Sequence, residues 1–392
     1  MVIVLWVALG LLAFSYVGYP IVLVAFGALH DLRGALQFLA GGPDRRLLRE
    51  PAEWPRVTLV LAAFDEEACI RAKIENCLAL DYPADRLELV LGCDGCTDRT
   101  AEIAREAGRG RVRVVEFSPR QGKASVLGRL VPAVSGDVVV LTDANVELHP
   151  RAIRALARRF GDPSVGAVVG RLRLRARPGA SEGAYWAYET FLKYLEGKLG
   201  VVVGANGGIY AIRRILFGRL PTDTVTDDFV LPARIAVRGW RVPFEPTACA
   251  WEDASGDARQ EFGRRARIGA GNWQALRRLP DLLDPRVGFV AFAFVSHKLL
   301  RWIGPLLLAT ALVANVAAAA LLAANGLRAL LAAQLLCYSL AVAGERGVGS
   351  IGRIARDFVL MNAALAVGFW RYLRGTQHAA WHRTERVPAR AA

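Results

Sequence analysis

The stretch that decides the fold is DVVVLTDAN, residues 137–145. Its apolar run has an acid on each side, as expected for a strand that is buried on both faces. An apolar run that ends in an acidic loop occurs twice before it: VTLVLAA at 57–63 runs into FDEE, and LELVLG at 87–92 runs into CDGC. Helical stretches separate the three strands. We therefore expect parallel strands in an open α/β sheet, which binds ligands beyond the carboxyl ends of its strands.

The composition narrows the class of protein. The chain has 392 residues, a net charge of +14 and 54% hydrophobic residues, and the apolar excess is concentrated at its two ends. A basic surplus is typical of proteins that meet nucleic acid, anionic lipid or an anionic small substrate. The sequence contains no basic helix with interleaved aromatic residues and no nucleic-acid motif. We therefore expect no nucleic-acid partner.

The cysteines indicate the compartment. The 6 cysteines form no disulfide framework. Cys93 and Cys96 make a C-x-x-C pair, but the second pair that a zinc site needs is absent. We expect small residues that shape a turn, although a redox pair is an alternative. Reduced cysteines are typical of a cytosolic face.

The N-terminal segment is predicted to anchor the chain in a membrane. Val2–Leu29 carries no charge, and it is long enough to cross a hydrocarbon core of about 30 Å. It lacks a basic leader and a small-residue cleavage site, which favours an uncleaved anchor over a signal peptide. Arg33, Arg45, Arg46 and Arg49 follow it. The positive-inside rule then places the N-terminus outside and the following domain in the cytosol, in a multi-pass protein of the inner membrane.

The C-terminal third is predicted to return to the membrane. Ile303–Ala324 is a second span and Leu330–Ala343 a shorter third, joined by a turn at Asn325–Arg328. We expect Phe358–Trp370 to be re-entrant or interfacial, and Val287–Arg301 to lie on the membrane surface as an amphipathic helix. The sequence thus divides into an anchor at 1–30, a linker at 31–55, an α/β domain at 56–280, an amphipathic helix at 281–301, membrane or re-entrant segments at 302–373 and a basic tail at 374–392.

Two of the acidic clusters have separate structural and functional interpretations. Glu66 and Glu67 suit the N-terminus of a helix that is predicted from Ala68 to Leu80, where the helix dipole favours negative charge. Thr97 or Asp98 is predicted to cap the helix through Ala107, which gives Asp98 a structural role. Asp94 has no predicted capping duty, and on a loop tip its carboxylate can accept a hydrogen bond from a base N–H.

The third cluster combines Asp143 with Asn145 after the deciding strand. Such oxygen ligands suit a divalent cation that keeps several waters and bridges phosphates, although the same residues are also common in turns. Gly122 and Lys123 at a helix start suit a phosphate group. Phe117 occupies the place of the first glycine of a phosphate-binding P-loop, so a nucleoside triphosphatase is not expected.

Taken in order, these motifs resemble the inverting glycosyltransferases of family 2, in the branch of the cellulose and hyaluronan synthases. The resemblance covers about Val57 to Trp273. It implies a GT-A-type, Rossmann-like nucleotide-sugar-binding domain flanked by transmembrane helices. It also implies a membrane-bound enzyme that uses Mg²⁺ or Mn²⁺ and moves a sugar from a nucleoside diphosphate to a saccharide or lipid-linked acceptor, with polysaccharide synthesis as one outcome.

The resemblance assigns roles to individual residues. Asp228, in Thr226-Asp227-Asp228, matches the catalytic base, which takes the proton of the acceptor hydroxyl. Asn206 lies in the stretch that matches the acceptor side of the site. The candidates for nucleotide-sugar binding are Ala63, Phe64, Glu66, Asp94, Lys123 and Asp143; those for the diphosphate or acceptor are Asn206, Asp227, Arg264 and Arg267; those for the metal are Asp143 and Asn145.

The chain departs from the family pattern at several positions. Asp65 and Asn145 replace the usual Asn and Asp, Ile268 replaces a tryptophan, and Trp273 is out of register. The tail at 381–386, WHRTER, resembles the basic tail of relatives. Two alternatives stay open: single-sugar transfer to a polyprenyl phosphate or membrane lipid, and a non-catalytic nucleotide-sugar-binding partner subunit. The intact Asp228 favours catalysis.

Overall fold

A mixed β-sheet forms the centre of the molecule. The computed structural model describes residues 1–41, 50–175, 182–253, 258–322, 324–344 and 349–377. Within these ranges the strands are β1 Val57–Ala63, β2 Leu87–Asp94, β3 Val112–Phe117, β4 Val138–Asp143, β5 Val146–Leu148, β6 Ala167–Arg175, β7 Tyr210–Arg213 and β8 Phe244–Asp253. Their order across the sheet is β3-β2-β1-β4-β7-β6-β8-β5.

The first four strands form a parallel unit, which contains the three predicted strands and adds β3. Strand β1 pairs in parallel with both β2 and β4, and β2 pairs in parallel with β3. The prediction for β1 at 57–63 is confirmed residue for residue, and β4 ends at Asp143 as the pattern of apolar residues indicated. Strand β7 then joins β4 in the antiparallel sense and extends the sheet. The predicted α/β class is confirmed.

Helices cover both faces of the sheet because alternate side chains of each strand point in opposite directions. Val60 and Ala62 of β1 enter one buried cluster, whereas Leu59 and Leu61 enter the other. The helices are α1 Val2–Ala13, α2 Tyr19–Leu39, α3 Glu67–Leu78, α4 Thr100–Gly108, α5 Lys123–Leu130, α6 Ala152–Ala157, α7 Glu182–Leu199, α8 Asp227–Val237, α9 Ala258–Arg278, α10 Phe289–Ala293, α11 Leu300–Trp302, α12 Gly304–Leu322, α13 Asn325–Ala343 and α14 Gly349–Leu373.

Three helical segments are long and apolar enough to cross a membrane. They are Val2–Leu39, Gly304–Leu322 and Asn325–Ala343, as judged over the described residues. The first comprises α1, α2 and a π-helical turn between them, and it extends ten residues beyond the predicted end at Leu29. The predicted turn at Asn325–Arg328 is wrong, because these residues form the first turn of α13.

The segment that contains Phe358–Trp370 belongs to a longer helix that packs on the α/β domain. Helix α14 runs alongside α9, where the rings of Trp273 and Phe369 lie 4.7 Å apart between centroids. A Cβ atom on Gly368 would stand 2.5 Å from the carbonyl oxygen of Ala266, so the two backbones meet closely. Helix α14 therefore faces protein along this contact, while Ile354 and Leu373 of the same helix are each 59% exposed. Arg45, Arg46, Arg49 and the tail motif at 381–386 lie outside the described residues.

The predicted amphipathic helix is helical but largely enclosed by protein. Helix α10, a π-helical turn and α11 run on without a break, and we call them together the 289–302 helix. The side chains of Phe294 and His297 are 0% and 1% exposed. The ring of Phe294 lies 6.2 Å from that of Phe229 in α8, between centroids. The 289–302 helix therefore forms part of the wall of the α/β domain.

Candidate active site

The carboxyl ends of β1, β2 and β4 bring the first acidic clusters to one edge of the sheet. Asp94 is the last residue of β2 and is fully buried. Its carboxylate accepts hydrogen bonds from the backbone N–H groups of Gln121 and Gly122, each at 2.7 Å. The expectation that Asp94 stands free on a loop tip is wrong, since it holds the backbone that starts α5. Gly122, at φ 96°, makes that start possible.

The loop after β1 is held by the loop after β2. Asp65 accepts a hydrogen bond from the backbone N–H of Thr97 at 2.7 Å, and Glu66 donates its own N–H to the Thr100 hydroxyl at 2.7 Å. Asp98 accepts from the N–H of Thr100, the first residue of α4, at 2.9 Å, but the N-cap residue is Arg99, so the predicted capping position is wrong by one residue. Glu66 sits at the N-cap of α3, which begins one residue earlier than expected.

An aromatic ring and a guanidinium group cover this edge of the sheet. The guanidinium carbon of Arg120 lies 3.4 Å from the centre of the Phe64 ring, a cation–π distance. Ala63, the last residue of β1, is 1% exposed, so only its backbone reaches this edge. The stretch before Lys123 is therefore fixed from two sides, by Asp94 and by Phe64.

Lys123 gathers the later acids around its ammonium group. Its Nζ lies 2.8 Å from Asp143 Oδ1 and 3.6 Å from Asp227 Oδ2. Burial lowers the pKa of Lys123, but the carboxylates of Asp143 and Asp227 outweigh it and hold the pKa above its ordinary value. The hydroxyl of Tyr210, fully buried in β7, donates to Asp227 Oδ2 at 3.0 Å. Asp227 is thus held by two partners, one charged and one neutral.

Asp228 faces the same point as Asp143 from the start of α8. A Cβ atom on Gly207 would stand 3.2 Å from Asp143 Oδ2 and 3.5 Å from Asp228 Oδ2, so only glycine leaves this gap open. Burial raises the pKa of Asp228 to about 6; the neighbouring Asp227 adds to the rise, and the Lys123 cation opposes it. Such a carboxylate is ionised at neutral pH and retains enough basicity to accept a proton.

The acceptor-side loop, residues 204–208, crosses the acids. The backbone N–H of Ala205 donates to the carbonyl oxygen of Asp228 at 2.8 Å. The Oδ1 atom of Asn206 accepts a hydrogen bond from Lys193 Nζ, which reaches it from α7. Sequence reasoning missed Lys193. The feature of the sequence that could have revealed Lys193 is the spacing of Glu189, Lys193 and Glu196, which places three charged residues on one face of a helix.

The two predicted arginines of α9 have different surroundings. Arg264 pairs with Glu261 on its own helix, with Nε 2.9 Å from Oε2. Arg267 donates to the carbonyl oxygen of Val225, just before α8, at 3.5 Å. Burial lowers the pKa of Arg267, while the carboxylate of Asp228 opposes this shift. Of these two arginines, Arg267 therefore has the stronger electrostatic interaction with the acidic residues of the site.

The residues present fit a divalent cation that is bound mainly through substrate. The side chain of Asp143 is 34% exposed, and Asn145 in the adjoining turn donates to Glu252 Oε1 at 3.4 Å. Over the described residues, the group with three mutually close metal-ligating side chains is Asp65, Cys96 and Asp98. At Asp143 the protein offers one accessible carboxylate. A single protein carboxylate is enough to bind Mg²⁺ or Mn²⁺ when phosphates and water supply the other ligands.

A parallel α/β unit with a buried acid and a partly exposed acid at its strand ends, and a lysine at the start of a following helix, is consistent with the class of GT-A nucleotide-sugar transferases. The comparison with protein families gives the particular family. Residues 55–271 match the model of "Glycosyltransferase like family 2". The chain therefore belongs to this family of glycosyltransferases, and the family predicted from the sequence is confirmed.

Individual relatives support the same assignment. The chain is 27% identical over 285 residues to the probable glycosyltransferase YdaM of Bacillus subtilis (strain 168), which covers 67% of each protein. It is 26% identical over 231 residues to the poly-β-1,6-N-acetyl-D-glucosamine synthase of Staphylococcus aureus (strain COL). That match covers 57% of this chain and 56% of the synthase, so the chain spans about half the length of this relative.

A solved structure matches nearly the whole chain. The mannosyltransferase PcManGT from Pyrobaculum calidifontis, in complex with GDP-Man and Mn²⁺, is similar with a TM-score of 0.64 and 25% identity. The match covers 90% of this chain and 98% of that one. This confirms the predicted GT-A-type fold, and the Mn²⁺ of the neighbour supports a divalent cation for this class of site.

Proposed function

We propose that the protein is a membrane-held inverting glycosyltransferase, which moves a sugar from a nucleoside-diphosphate sugar to a hydroxyl group of a saccharide or lipid-linked acceptor. The observation that carries the proposal is the meeting of Asp143 and Asp228 beside Gly207, with Lys123 paired to Asp143 and Asp227. Asp143 and Asp228 are both partly exposed, so bound molecules can reach both carboxylates. This arrangement suits a donor site next to a proton acceptor.

The donor is assigned to the edge of the sheet that β1, β2 and β4 form. Asp94 keeps lone pairs beyond the two that bind the backbone, but its side chain is fully buried, so a nucleotide base reaches this carboxylate only by displacing the groups that cover it. Phe64 and Glu66 belong to the adjoining loop. Asp143, with Asn145 beside it, would hold Mg²⁺ or Mn²⁺, which when bound supplies positive charge to the diphosphate. Lys123 and Arg267 add fixed cations for the same charge.

The transfer step is assigned to Asp228. The acceptor O–H gives its proton to the Asp228 carboxylate while its oxygen forms a bond to C1 of the donor sugar. The C1–O bond to the diphosphate breaks on the opposite face, and the diphosphate leaves with the electron pair. Because the acceptor oxygen attacks from the face opposite the diphosphate, the configuration at C1 is inverted. A positioned base contributes about 10²–10⁴-fold to such a rate.

The membrane arrangement is part of the proposal. Three helices of sufficient length and apolarity flank the domain. We assign them to an inner membrane with the catalytic domain on the cytosolic side, where nucleotide sugars are made. Arg33 lies on the domain side of the first segment, in agreement with the positive-inside rule.

Release of nucleotide from a panel of nucleotide sugars tests the proposal. Membranes that carry the wild type, Asp228→Asn or Asp223→Asn are compared with and without Mg²⁺ or Mn²⁺. Asp223 is the matched control, because its side chain is 67% exposed and lies in the loop before α8. We expect metal-dependent release from one donor by the wild type and by Asp223→Asn, and a loss of at least about 100-fold in Asp228→Asn.

Two results would contradict the proposal. Near-normal transfer by Asp228→Asn would show that another group takes the proton. Intact donor binding with no release from any donor, even in native membranes, would favour the non-catalytic partner subunit. To distinguish Mg²⁺ from Mn²⁺, the metal is removed with a chelator and each cation is added back. The cation that restores nucleotide release is the one that the enzyme uses.

The second candidate is the addition of one sugar to a polyprenyl phosphate or membrane lipid. The observation that favours it is the near-complete match to a structure that is named a mannosyltransferase, against a match to 56% of the polymer synthase. The chain length of the product separates the candidates. A ladder of products supports polymer synthesis, and a single lipid-soluble product supports the second candidate.

A further inference from the structure

We propose that Lys193 is a positioning residue, which orients the side-chain amide of Asn206 toward the acceptor. The proposal rests on the proposed transferase function. Lys193 lies on α7, and its side chain is 5% exposed. Its Nζ donates a hydrogen bond to Oδ1 of Asn206 in the acceptor-side loop. The contact joins a helix of the domain wall to the loop that crosses the acids.

The chemistry of the lysine decides which way the amide points. An ammonium group has three donors and no acceptor, so the Asn206 atom that meets it must be the carbonyl oxygen. The amide nitrogen, Nδ2, then points the other way. Over the described residues Nδ2 has no hydrogen-bond partner, and Asn206 is half-buried. Its two N–H groups are therefore available to a bound molecule.

The position of Asn206 indicates which molecule that is. Its neighbour Ala205 is bonded to the backbone of Asp228, and its other neighbour Gly207 faces the carboxylates of Asp143 and Asp228. A sugar acceptor that brings a hydroxyl to Asp228 also brings ring and hydroxyl oxygens beside it. These oxygens are acceptors for the Nδ2 donors. The lysine thus presents donors, rather than a second carbonyl, to the acceptor.

The surroundings of Lys193 are not those of a packing residue. Burial lowers the pKa of Lys193 to about 8, and the nearby Lys298 adds to the shift, while the carboxylates of Glu189, Asp228 and Glu196 oppose it. Among the described residues its hydrogen-bond partner is a neutral amide. Burial of an ammonium group whose hydrogen-bond partner is neutral costs free energy, and an apolar side chain at this position would avoid that cost. The charge therefore has a use beyond packing.

Neighbouring elements hold α7 in the position that the contact requires. Glu196 accepts hydrogen bonds from the Tyr19 hydroxyl at 2.8 Å and from His297 Nδ1 at 2.6 Å. Glu189 pairs with Arg301 of the 289–302 helix. The lysine is thus fixed relative to both the N-terminal membrane segment and the domain wall.

The partition of donor sugar between water and acceptor measures the role without knowledge of the acceptor. Native membranes that carry the full chain receive radiolabelled donor, and free sugar is separated from transferred sugar. We expect Lys193→Met to raise the ratio of free to transferred sugar roughly fivefold to tenfold, the equivalent of one neutral hydrogen bond. Donor binding should stay within about twofold. Lys193→Arg keeps a charged donor and should restore most of the transfer.

Two Asn206 variants complete the test. Asn206→Asp keeps a partner for Lys193 but removes the Nδ2 donors, so it should show the same shift in ratio. Lys193→Met should add nothing further in an Asn206→Ala background, since its effect acts through that amide. If Lys193→Met instead lowers hydrolysis and transfer equally, or if the two losses multiply, the positioning role is wrong.

The proposed function is judged separately in the same assay. Full transfer by Asp228→Asn would remove the assigned base, whatever the Lys193 variants do. Independent losses in Lys193→Met and Asn206→Ala, with Asp228→Asn inactive, would leave the base in place and overturn the positioning role alone.

Discussion

The proposed donor half and the proposed acceptor half of the candidate site are built in different ways. In the donor half, Asp94 and Asp143 are the last residues of parallel strands, and backbone N–H groups or a nearby lysine hold them. In the acceptor half, the acceptor-side loop depends on Lys193 from α7, and α7 depends on Glu196 and Tyr19. The strand ends of the sheet position the residues of the donor half, whereas side chains from distant segments of the chain position those of the acceptor half.

The difference predicts how the halves fail. A change in the donor half should weaken donor binding and leave the remainder of the fold intact. A change in the acceptor half should spare donor binding and alter what the donor reacts with. Three variants or conditions test this division.

The largest effect is expected from Lys123→Met in the donor half. The substitution leaves the carboxylates of Asp143 and Asp227 without their shared cation, and it removes a positive charge from the diphosphate region. A charge-assisted hydrogen bond is worth about 1.5–3 kcal/mol, so donor affinity should fall about 10- to 100-fold. Titration calorimetry measures this. Lys123→Arg is the control that keeps the charge; equal affinity in Lys123→Met and wild type would remove Lys123 from the donor site.

A change of pH is expected to have an intermediate effect on the rate of transfer, because it changes the ionisation of Asp228 in the acceptor half. Its pKa is raised to about 6, mainly by burial, so the base is ionised above pH 6 and protonated below it. The value of kcat/KM should therefore fall about tenfold per pH unit below 6 and level off above it. Since the Lys123 cation lowers this pKa, Lys123→Met should move the midpoint upward. A midpoint that moves downward, or a flat profile through pH 5, would contradict the assignment.

The smallest effect is expected from Tyr19→Phe, at the contact between α2 and α7. The substitution deletes the hydrogen bond to Glu196 and keeps the ring, so stability should fall by about 1 kcal/mol. Transfer should stay within about twofold, because His297 still holds Glu196. Thermal unfolding in detergent measures the change, with the half-exposed Tyr194→Phe on α7 as control. A tenfold loss of transfer would show that this contact acts directly on the chemistry.

The same division explains what the sequence predicted. Strand β1 and the position of Asp143 followed from local apolar runs and the acids that end them. The partners of Asp94 did not follow, because they lie 27 and 28 residues away and are backbone groups. Lys193 escaped notice because its contact needs the folded loop at Asn206.

Long-range packing also sets what the sequence could predict near the membrane. Phe358–Trp370 is part of α14, which contacts α9, and its re-entrant or interfacial placement stays a prediction. His297 in the 289–302 helix is buried between two glutamates of α7, which are 101 and 108 residues away in the chain. A periodicity argument does not reach such contacts.

The most direct test of the account is the affinity for the donor sugar nucleotide in two variants, measured by titration calorimetry with Mn²⁺ or Mg²⁺ present. Asp143→Asn alters the donor half, and Asp228→Asn makes the same chemical change in the acceptor half. We predict that Asp143→Asn weakens donor binding at least about tenfold, while Asp228→Asn binds within about twofold of the wild type although it transfers no sugar. Unchanged binding in Asp143→Asn, together with weakened binding in Asp228→Asn, would contradict the division of the site into these halves.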